Sequence, residues 1–161
     1  MLKIDSWPLN GLDSHVAGKL LLRQMYGELT GGEEMPRIGK TPRGKPYFLS
    51  GPYHFSITHT RAHVFCAISD VPIGIDAEEL TRRVDPRLAD KILSAPELAR
   101  YQRSPDQNEA LLRFWVLKEA AVKCSGQGLR GYPNQTDFHP DDPRIRVMSG
   151  CLVAVITEGE C

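Results

Sequence analysis

Two short stretches hold the acids and bases that could do chemistry. In residues 71–79, VPIGIDAEE, an apolar run ends in Asp76, Ala77 and Glu78. Residues two apart on an extended chain point the same way, so Asp76 and Glu78 present two carboxylates to one side. Like charges that close repel unless a proton or a cation lies between them. Hard oxygen donors of this kind suit Mg2+, which takes few carboxylates and fills its shell with water and phosphate oxygens. The plainer alternative is an acidic turn leading into the next helix. In residues 108–129, NEALLRFWVLKEAAVKCSGQGL, Glu119 and Lys123 stand four apart and lie over each other on one helix face. Taken alone, such a pair is a surface ion pair worth about 0.3–0.5 kcal/mol. Beside a second source of carboxylates it becomes an acid and a cation able to act at a phosphate.

Residues 30–46 add positive charge. They are rich in Gly and Pro, and Arg37, Lys40, Arg43 and Lys45 follow one another with no acid between them, which reads as a basic loop. Gly39 to Lys45, GKTPRGK, fits the first seven places of a P-loop. Pro46 takes the Ser/Thr position, however, and no helix follows, so half of the phosphate cradle is missing and a nucleotide triphosphatase is rejected. A basic loop containing glycine can still touch a phosphate by another geometry. His54, His59 and His63 lie close in sequence, but there is no HExxH, and an extended chain does not bring two of them to one zinc. A histidine at a strand end suits hydrogen bonding or phosphate contact.

Helices and strands must position these groups. In residues 108–129, Ala110, Phe114, Leu117, Ala121 and Cys124 make one buried face, widened by Leu111, Trp115 and Val122. Gly126 can close this helix in a left-handed cap and Gly128 keeps the chain turning. Lys118, Glu119 and Lys123 are left on a narrow polar stripe. Residues 12–26 form a first helix, capped by Asp13 or Ser14, with an apolar stripe of Val16, Leu20, Leu21 and Met25. Residues 53–68 read as two strands about a turn, the second a continuous apolar run from Val64 to Ile68. Ile73 to Ile75 is a strand running into Asp76. Residues 85–93 and 95–103 are short helices with Pro86 and Pro96 in their first turns. Residues 144–147 and 151–157 form a closing hairpin.

The chain has 161 residues, 41% hydrophobic and 25% charged, enough for one domain with a real core. Twenty basic residues balance twenty acidic ones, so duplex nucleic acid is not an expected partner. No apolar run approaches a membrane span and the first eleven residues do not read as a signal peptide. Cys66 and Cys151 sit in apolar strand-like runs without any CxxC, as reduced buried thiols do. The expectation is a cytoplasmic protein.

Together these residues resemble a family. Gly74-Ile75-Asp76-Ala77-Glu78, followed by Phe114-Trp115-x-x-Lys118-Glu119-Ala120-x-x-Lys123-x-x-Gly126-x-Gly128-Leu129, is similar to the motifs of the 4′-phosphopantetheinyl transferases. Gly44-Lys45-Pro46 and the run His54-Phe55-Ser56-Ile57-Thr58-His59-Thr60 resemble the GKP and HFNxSHS elements of the surfactin-type subfamily. The resemblance implies an α+β fold of two similar halves in a pseudo-twofold arrangement, with coenzyme A bound between them. Residues 1–161 would form one compact unit, 1–72 carrying the coenzyme A loop and 73–161 the metal carboxylates. Such enzymes move the phosphopantetheine arm of coenzyme A onto a serine of an acyl or peptidyl carrier protein and release 3′,5′-ADP. Carried over by position, Asp76, Glu78 and Glu119 would hold Mg2+. Lys123 would meet the pyrophosphate, Thr58 and His59 the phosphates, and Arg43, Gly44, Lys45 and Pro46 the adenosine end. Glu119 and Lys123 would be the catalytic pair.

The chain also departs from the family. The stretch before Gly44 is shorter than in the surfactin-type enzymes, which implies that their first strands are missing, and Ser14-His15 replaces their Arg-Thr pair. The tail after Leu129 is short as well. These features fit a trimmed pseudodimeric enzyme, monomeric or weakly dimeric. The alternatives are a coenzyme A or carrier-protein binding module without turnover, and a metal-dependent phosphohydrolase.

Overall fold

In the computed structural model, which describes residues 1–127 and 135–160, two three-stranded antiparallel sheets each carry one long helix. The first sheet has the order β1 (Leu2–Pro8), β5 (His63–Ser69), β4 (His54–His59) and carries α1 (Ser14–Thr30). The second has the order β6 (Ile73–Glu79), β8 (Cys151–Thr157), β7 (Ile145–Met148) and carries α4 (Gln107–Ser125). A small hairpin of β2 (Ile38–Lys40) and β3 (Pro46–Phe48) stands apart. Between β6 and α4 come a 3-10 turn (Pro86–Leu88), α2 (Ala89–Ile92) and α3 (Ala95–Arg103).

The apolar runs of β5 and β8 follow from burial on both faces. On β5, Val64, Cys66 and Ile68 pack under α1 with Leu21, Leu22 and Met25. The alternate residues Phe65 and Ala67 face the second sheet, against Ile73, Ile75 and Ala77 of β6 and Val153 and Val155 of β8. Leu152, Ala154 and Ile156 of β8 point the other way, to Leu117, Ala120 and Ala121 of α4. The layers therefore run helix, sheet, sheet, helix. On β6 the same alternation buries the odd-numbered residues between the sheets and leaves Gly74, Asp76 and Glu78 on the alternate side.

The structure corrects several expectations. A strand that the sequence reading did not assign precedes α1: β1 pairs with β5 over its whole length, from Leu2 opposite Ser69 to Pro8 opposite His63. The basic loop is in part a hairpin, β2 with β3, closed by Gly44 at φ 87°. Helix α1 starts at Ser14, capped by Asp13, and continues to Thr30, where Gly31 ends it in the left-handed region. Its buried face holds Leu21 and Met25 as expected, but Val16 and Leu20 point to solvent and Ala17, Gly18 and Leu22 take their place. The small residues let the helix approach the sheet: a Cβ on Gly18 would lie 3.0 Å from Ile57. Helix α4 ends at Gly126 in the left-handed conformation, as its sequence predicts. Gly128 and Leu129 of the motif lie outside the described residues. Cys66, Cys124 and Cys151 are buried. No helix among the described residues is long and apolar enough to cross a membrane.

Lys118 is not on the polar stripe. It is buried, with its ammonium 2.6 Å from Glu97 Oε1. Glu97, fully buried in the first turn of α3, also accepts from the Ser94 N–H at 2.9 Å, the Thr136 hydroxyl at 2.8 Å and the Phe138 N–H at 3.0 Å. One carboxylate thus ties α3, α4 and the segment after residue 135 together. Burial pushes the Lys118 ammonium below its usual range, and Glu97 opposes that shift. Lys118→Ala should strand the Glu97 charge and cost about 3–5 kcal/mol in urea unfolding. The double replacement Glu97→Gln with Lys118→Met should recover part of that loss. A Lys118→Ala cost below about 1 kcal/mol would show that water reaches the pair.

Candidate active site

The two sheets meet along β4 and β6, and two side-chain bonds join them. The backbone N–H of Ile75 donates to Ser56 Oγ at 3.1 Å, and the Thr58 hydroxyl donates to Asp76 Oδ1 at 3.2 Å. Helix α4 supplies the third partner. Its Lys123 ammonium lies 2.6 Å from Asp76 Oδ1 and donates to Thr58 Oγ1 at 3.1 Å. Asp76 is buried, whereas the Lys123 side chain is 31% exposed. The cation can therefore reach solvent on its outer side, but the carboxylate cannot.

Glu119 lies one turn before Lys123 and senses the same charges. Burial pushes its carboxyl above the usual carboxylate range, the Asp76 and Glu78 charges push it further, and Lys123 opposes them. Burial likewise pushes the Asp76 carboxyl up, with Glu78 adding to the rise and Lys123 and Thr58 opposing it. Glu78 is engaged by Arg82, four residues on. Three carboxylates thus share one neighbourhood: Asp76 and Glu78 both raise Glu119, Glu78 raises Asp76, and Asp76 and Glu78 are held by cations of the chain itself. Among the described residues no three histidine, cysteine or carboxylate side chains are yet gathered as a ready-made metal group.

Beside this cluster a cavity of about 270 Å³ opens between the two halves. Arg43, Gly44, Lys45 and Pro46 form one wall, Phe55, Ser56 and Ile57 the next, and Val122, Lys123 and Gly126 the last. Five of the residues singled out from sequence, Arg43 to Pro46 and Lys123, therefore line a single space although they are far apart in the chain. Lys45 donates to the Cys124 carbonyl at 2.6 Å and Arg43 reaches the Gln127 carbonyl, so the loop's cations seat on the negative C-terminal end of α4. Thr58 joins the cluster through Asp76 and Lys123. His59 is exposed, with Nδ1 3.3 Å from the Thr60 carbonyl and its ring 6.5 Å from that of His15. His59, Asp76, Glu78 and Glu119 do not line the cavity. Ser56 and Val122 do, and sequence reasoning placed neither in the site, reading Val122 as part of a buried helix face. Ser56 was visible within the run from His54 to Thr60, two before Thr58 on the same strand face. A larger cavity of about 420 Å³ lies near Met1, Asp70 and Glu160, away from all of these groups.

The geometry can hold an elongated anion. Its phosphates would meet Lys123 and the loop, and its charge would be matched near the carboxylates by a cation. The family model of the 4′-phosphopantetheinyl transferase superfamily matches residues 72–152, a span that contains Asp76, Glu78, Glu119 and Lys123. Over 116 residues the chain is 31% identical to the 4′-phosphopantetheinyl transferase psf-1 of Bacillus pumilus, covering 70% of this chain and 49% of that one. It is 34% identical over 116 residues to the 4′-phosphopantetheinyl transferase gsp of Aneurinibacillus migulanus, covering 70% and 48%. With the holo-[acyl-carrier-protein] synthase of Shewanella frigidimarina it shares 33% identity over 93 residues, 51% of this chain and 74% of the other. The chain spans about half the length of the first two relatives.

Proposed function

The chain belongs to the 4′-phosphopantetheinyl transferase superfamily, and on that premise we propose that it transfers the 4′-phosphopantetheine group of coenzyme A to a serine of an acyl or peptidyl carrier protein, releasing 3′,5′-ADP. The observation that carries this reading is the single cavity in which the basic loop 43–46 and Lys123 of α4 face each other. Its walls come from both halves, 1–72 and 73–161, which we read as one compact unit related by a pseudo-twofold. The adenosine end would lie against Arg43, Gly44, Lys45 and Pro46, and the phosphates would point toward Lys123, Thr58 and His59.

Asp76, Glu78 and Glu119 would hold Mg2+. Hard oxygen donors and two carboxyls, Asp76 and Glu119, raised by burial and by neighbouring carboxylates support this set, since a divalent cation relieves both penalties. The ion would offset the charge that builds on the phosphoryl group as the pyrophosphate breaks. The rest falls to the chain's own side chains. The serine oxygen attacks the phosphorus that bears the pantetheine, and the bond from that phosphorus to the bridging oxygen breaks. Glu119 takes the hydroxyl proton, directly or through a water beside it. Lys123 exchanges Asp76 for the leaving oxygen and stabilises or protonates it. Thr58, bonded to both Asp76 and Lys123, keeps the pair in register during that exchange.

One observation favours a second reading. Lys123 and Arg82 already satisfy Asp76 and Glu78, which suits a module that binds coenzyme A without turnover. Incubation with Mg2+, coenzyme A and a panel of apo carrier proteins separates the two. Transfer predicts a carrier heavier by one phosphopantetheine and free 3′,5′-ADP. Coenzyme A binding that ignores Mg2+ and gives no heavier carrier would select the module. Phosphopantetheine released without any carrier would select a hydrolase. Action in the cytoplasm is supported by the buried thiols of Cys66 and Cys151.

A further inference from the structure

Strand β4 and the residue after it turn every second side chain toward the other half, and each of these is a buried hydroxyl: Ser56, Thr58 and Thr60. Thr58 spends its proton on Asp76 and accepts from Lys123. Thr60 lies outside the cavity, where its oxygen accepts from the N–H groups of Ala62 and His63. Ser56 is placed differently. Its oxygen accepts from the Ile75 N–H at 3.1 Å, and a hydroxyl that accepts still has its own proton to give. Among the described residues nothing takes that proton. Ser56 is only 6% exposed, yet it lines the cavity of about 270 Å³ that loop 43–46 and Lys123 share. The cations of that cavity already have partners: Arg43 reaches the Gln127 carbonyl, Lys45 the Cys124 carbonyl and Lys123 the Asp76 carboxylate. Ser56 adds to them a neutral donor, held in place by the bond it accepts.

We propose that Ser56 is a substrate-binding residue, its hydroxyl donating to an oxygen of the adenosine-side phosphate of coenzyme A, the phosphate that leaves with 3′,5′-ADP. The assignment rests on the transfer reading above and adds a residue to it. Position along the strand selects the phosphate. Residues two apart on a strand stand about 7 Å apart, so with Thr58 and Lys123 at the bond that breaks, Ser56 lies one phosphate further toward loop 43–46. A buried hydroxyl proton without an acceptor is a cost, and an anionic oxygen removes it through a charge-assisted bond. Ser56 would hold a non-bridging oxygen, away from the breaking bond, so the contact is much the same before and during transfer. Its loss then falls on KM rather than on kcat. The competing role is that of a spacer. The Ile75 N–H bond sets β6 against β4 and thereby places Asp76, the next residue. Loss of a spacer falls on kcat and is blind to which phosphates a ligand carries.

Displacement of a fluorescent coenzyme A analogue gives the affinities of wild type and Ser56→Ala for 3′,5′-ADP and for adenosine 3′-phosphate, which lacks the 5′-phosphate. The variant should bind 3′,5′-ADP about tenfold or more weakly and adenosine 3′-phosphate as wild type does. The KM for coenzyme A should rise by a similar factor, with kcat near that of wild type. Ser56→Thr keeps the hydroxyl and should restore both. Ser56→Ala also leaves the Ile75 N–H without its acceptor. Should that variant melt below the assay temperature, Ser56→Cys fills the same space, faces the same N–H and donates only weakly, and it should show the same loss. Equal weakening toward both nucleotides makes Ser56 a spacer and overturns the assignment. A lower kcat with 3′,5′-ADP affinity unchanged does the same. Wild-type protein that binds neither nucleotide overturns the coenzyme A reading, and the role of Ser56 with it. A chain that shows the phosphate-dependent loss yet modifies no carrier refutes transfer and leaves Ser56 in the binding site.

Discussion

Asp76→Asn is expected to remove transfer activity without lowering stability. The carboxylate sits where β4, β6 and α4 converge, bonded to Thr58 and to Lys123. An amide there keeps the shape but cannot hold Lys123 by charge or, on the proposed reading, share a divalent cation with Glu119. Removing one preorganised charged group from a site of this kind costs about 10²–10³ in rate, which sets the minimum loss expected. The stability half follows from the sign of the shift. Burial holds the Asp76 carboxyl above its ordinary value of 3.8, so the folded state prefers the protonated form. An acid of raised pKa gives up stability as pH rises through the range from its unfolded to its folded value. At neutral pH the ionised group is therefore a net cost, and the amide removes it.

Lys123 is not stranded by the change, because its side chain is 31% exposed and can turn into the cavity. Calorimetry should show a melting temperature for Asp76→Asn equal to or above that of wild type at pH 7, the gap closing as pH falls through the acid range. A melting temperature several degrees lower would mean that the Asp76–Lys123 pair is a structural latch. Near-normal transfer by a folded Asp76→Asn protein would remove Asp76 from the site.

How much of this could be read in the sequence depends on the range over which each signal acts. The helix around Glu119 and Lys123 was legible because its apolar spacing and the Gly126 cap are local, and α4 ends where they say. Asp76 and Lys123 were each visible as chemistry, but the 2.6 Å bond between them was not, since it is fixed by how β6 lies against α4. Lys118 shows the same gap. It is adjacent to Glu119, yet neighbours on a helix differ by about 100°, and the side that Lys118 takes is set by Glu97 on another helix. The strands β2 and β3 have three residues each and lie in a Gly- and Pro-rich stretch, too short for a period of two to register. Val16 and Leu20 kept the right spacing for a buried face and lost it to Ala17 and Gly18, because close helix–sheet approach favoured the small residues.

Gly74→Ala should be among the most damaging substitutions in the chain, although it adds one methyl group and Gly74 needs no unusual backbone. A Cβ at this position would lie 1.9 Å from the Ala120 carbonyl oxygen and 2.4 Å from the Cys124 nitrogen. Both are backbone atoms of α4, so no rotamer change can relieve the clash, and the helix must move off the strand. Overpacking a well-filled core costs about 1–3 kcal/mol and more where the backbone has to shift, and a displaced α4 would also open the contacts of Leu117, Ala120 and Ala121 with β8. A loss above about 3 kcal/mol in urea unfolding is expected, a large share of the 5–15 kcal/mol typical of a domain. Because Asp76 follows two residues later and Lys123 lies one turn beyond Ala120, the same shift must separate Asp76 from Lys123. Whatever folded fraction survives should transfer slowly. Gly27→Ala is the control: this helical glycine has nothing within 4 Å of an added Cβ, and alanine there should stabilise α1 by about 0.5–1 kcal/mol. Comparable unfolding curves for Gly74→Ala and wild type would show that β6 and α4 are not held at this distance, and with it would go the geometry that brings Asp76 to Lys123.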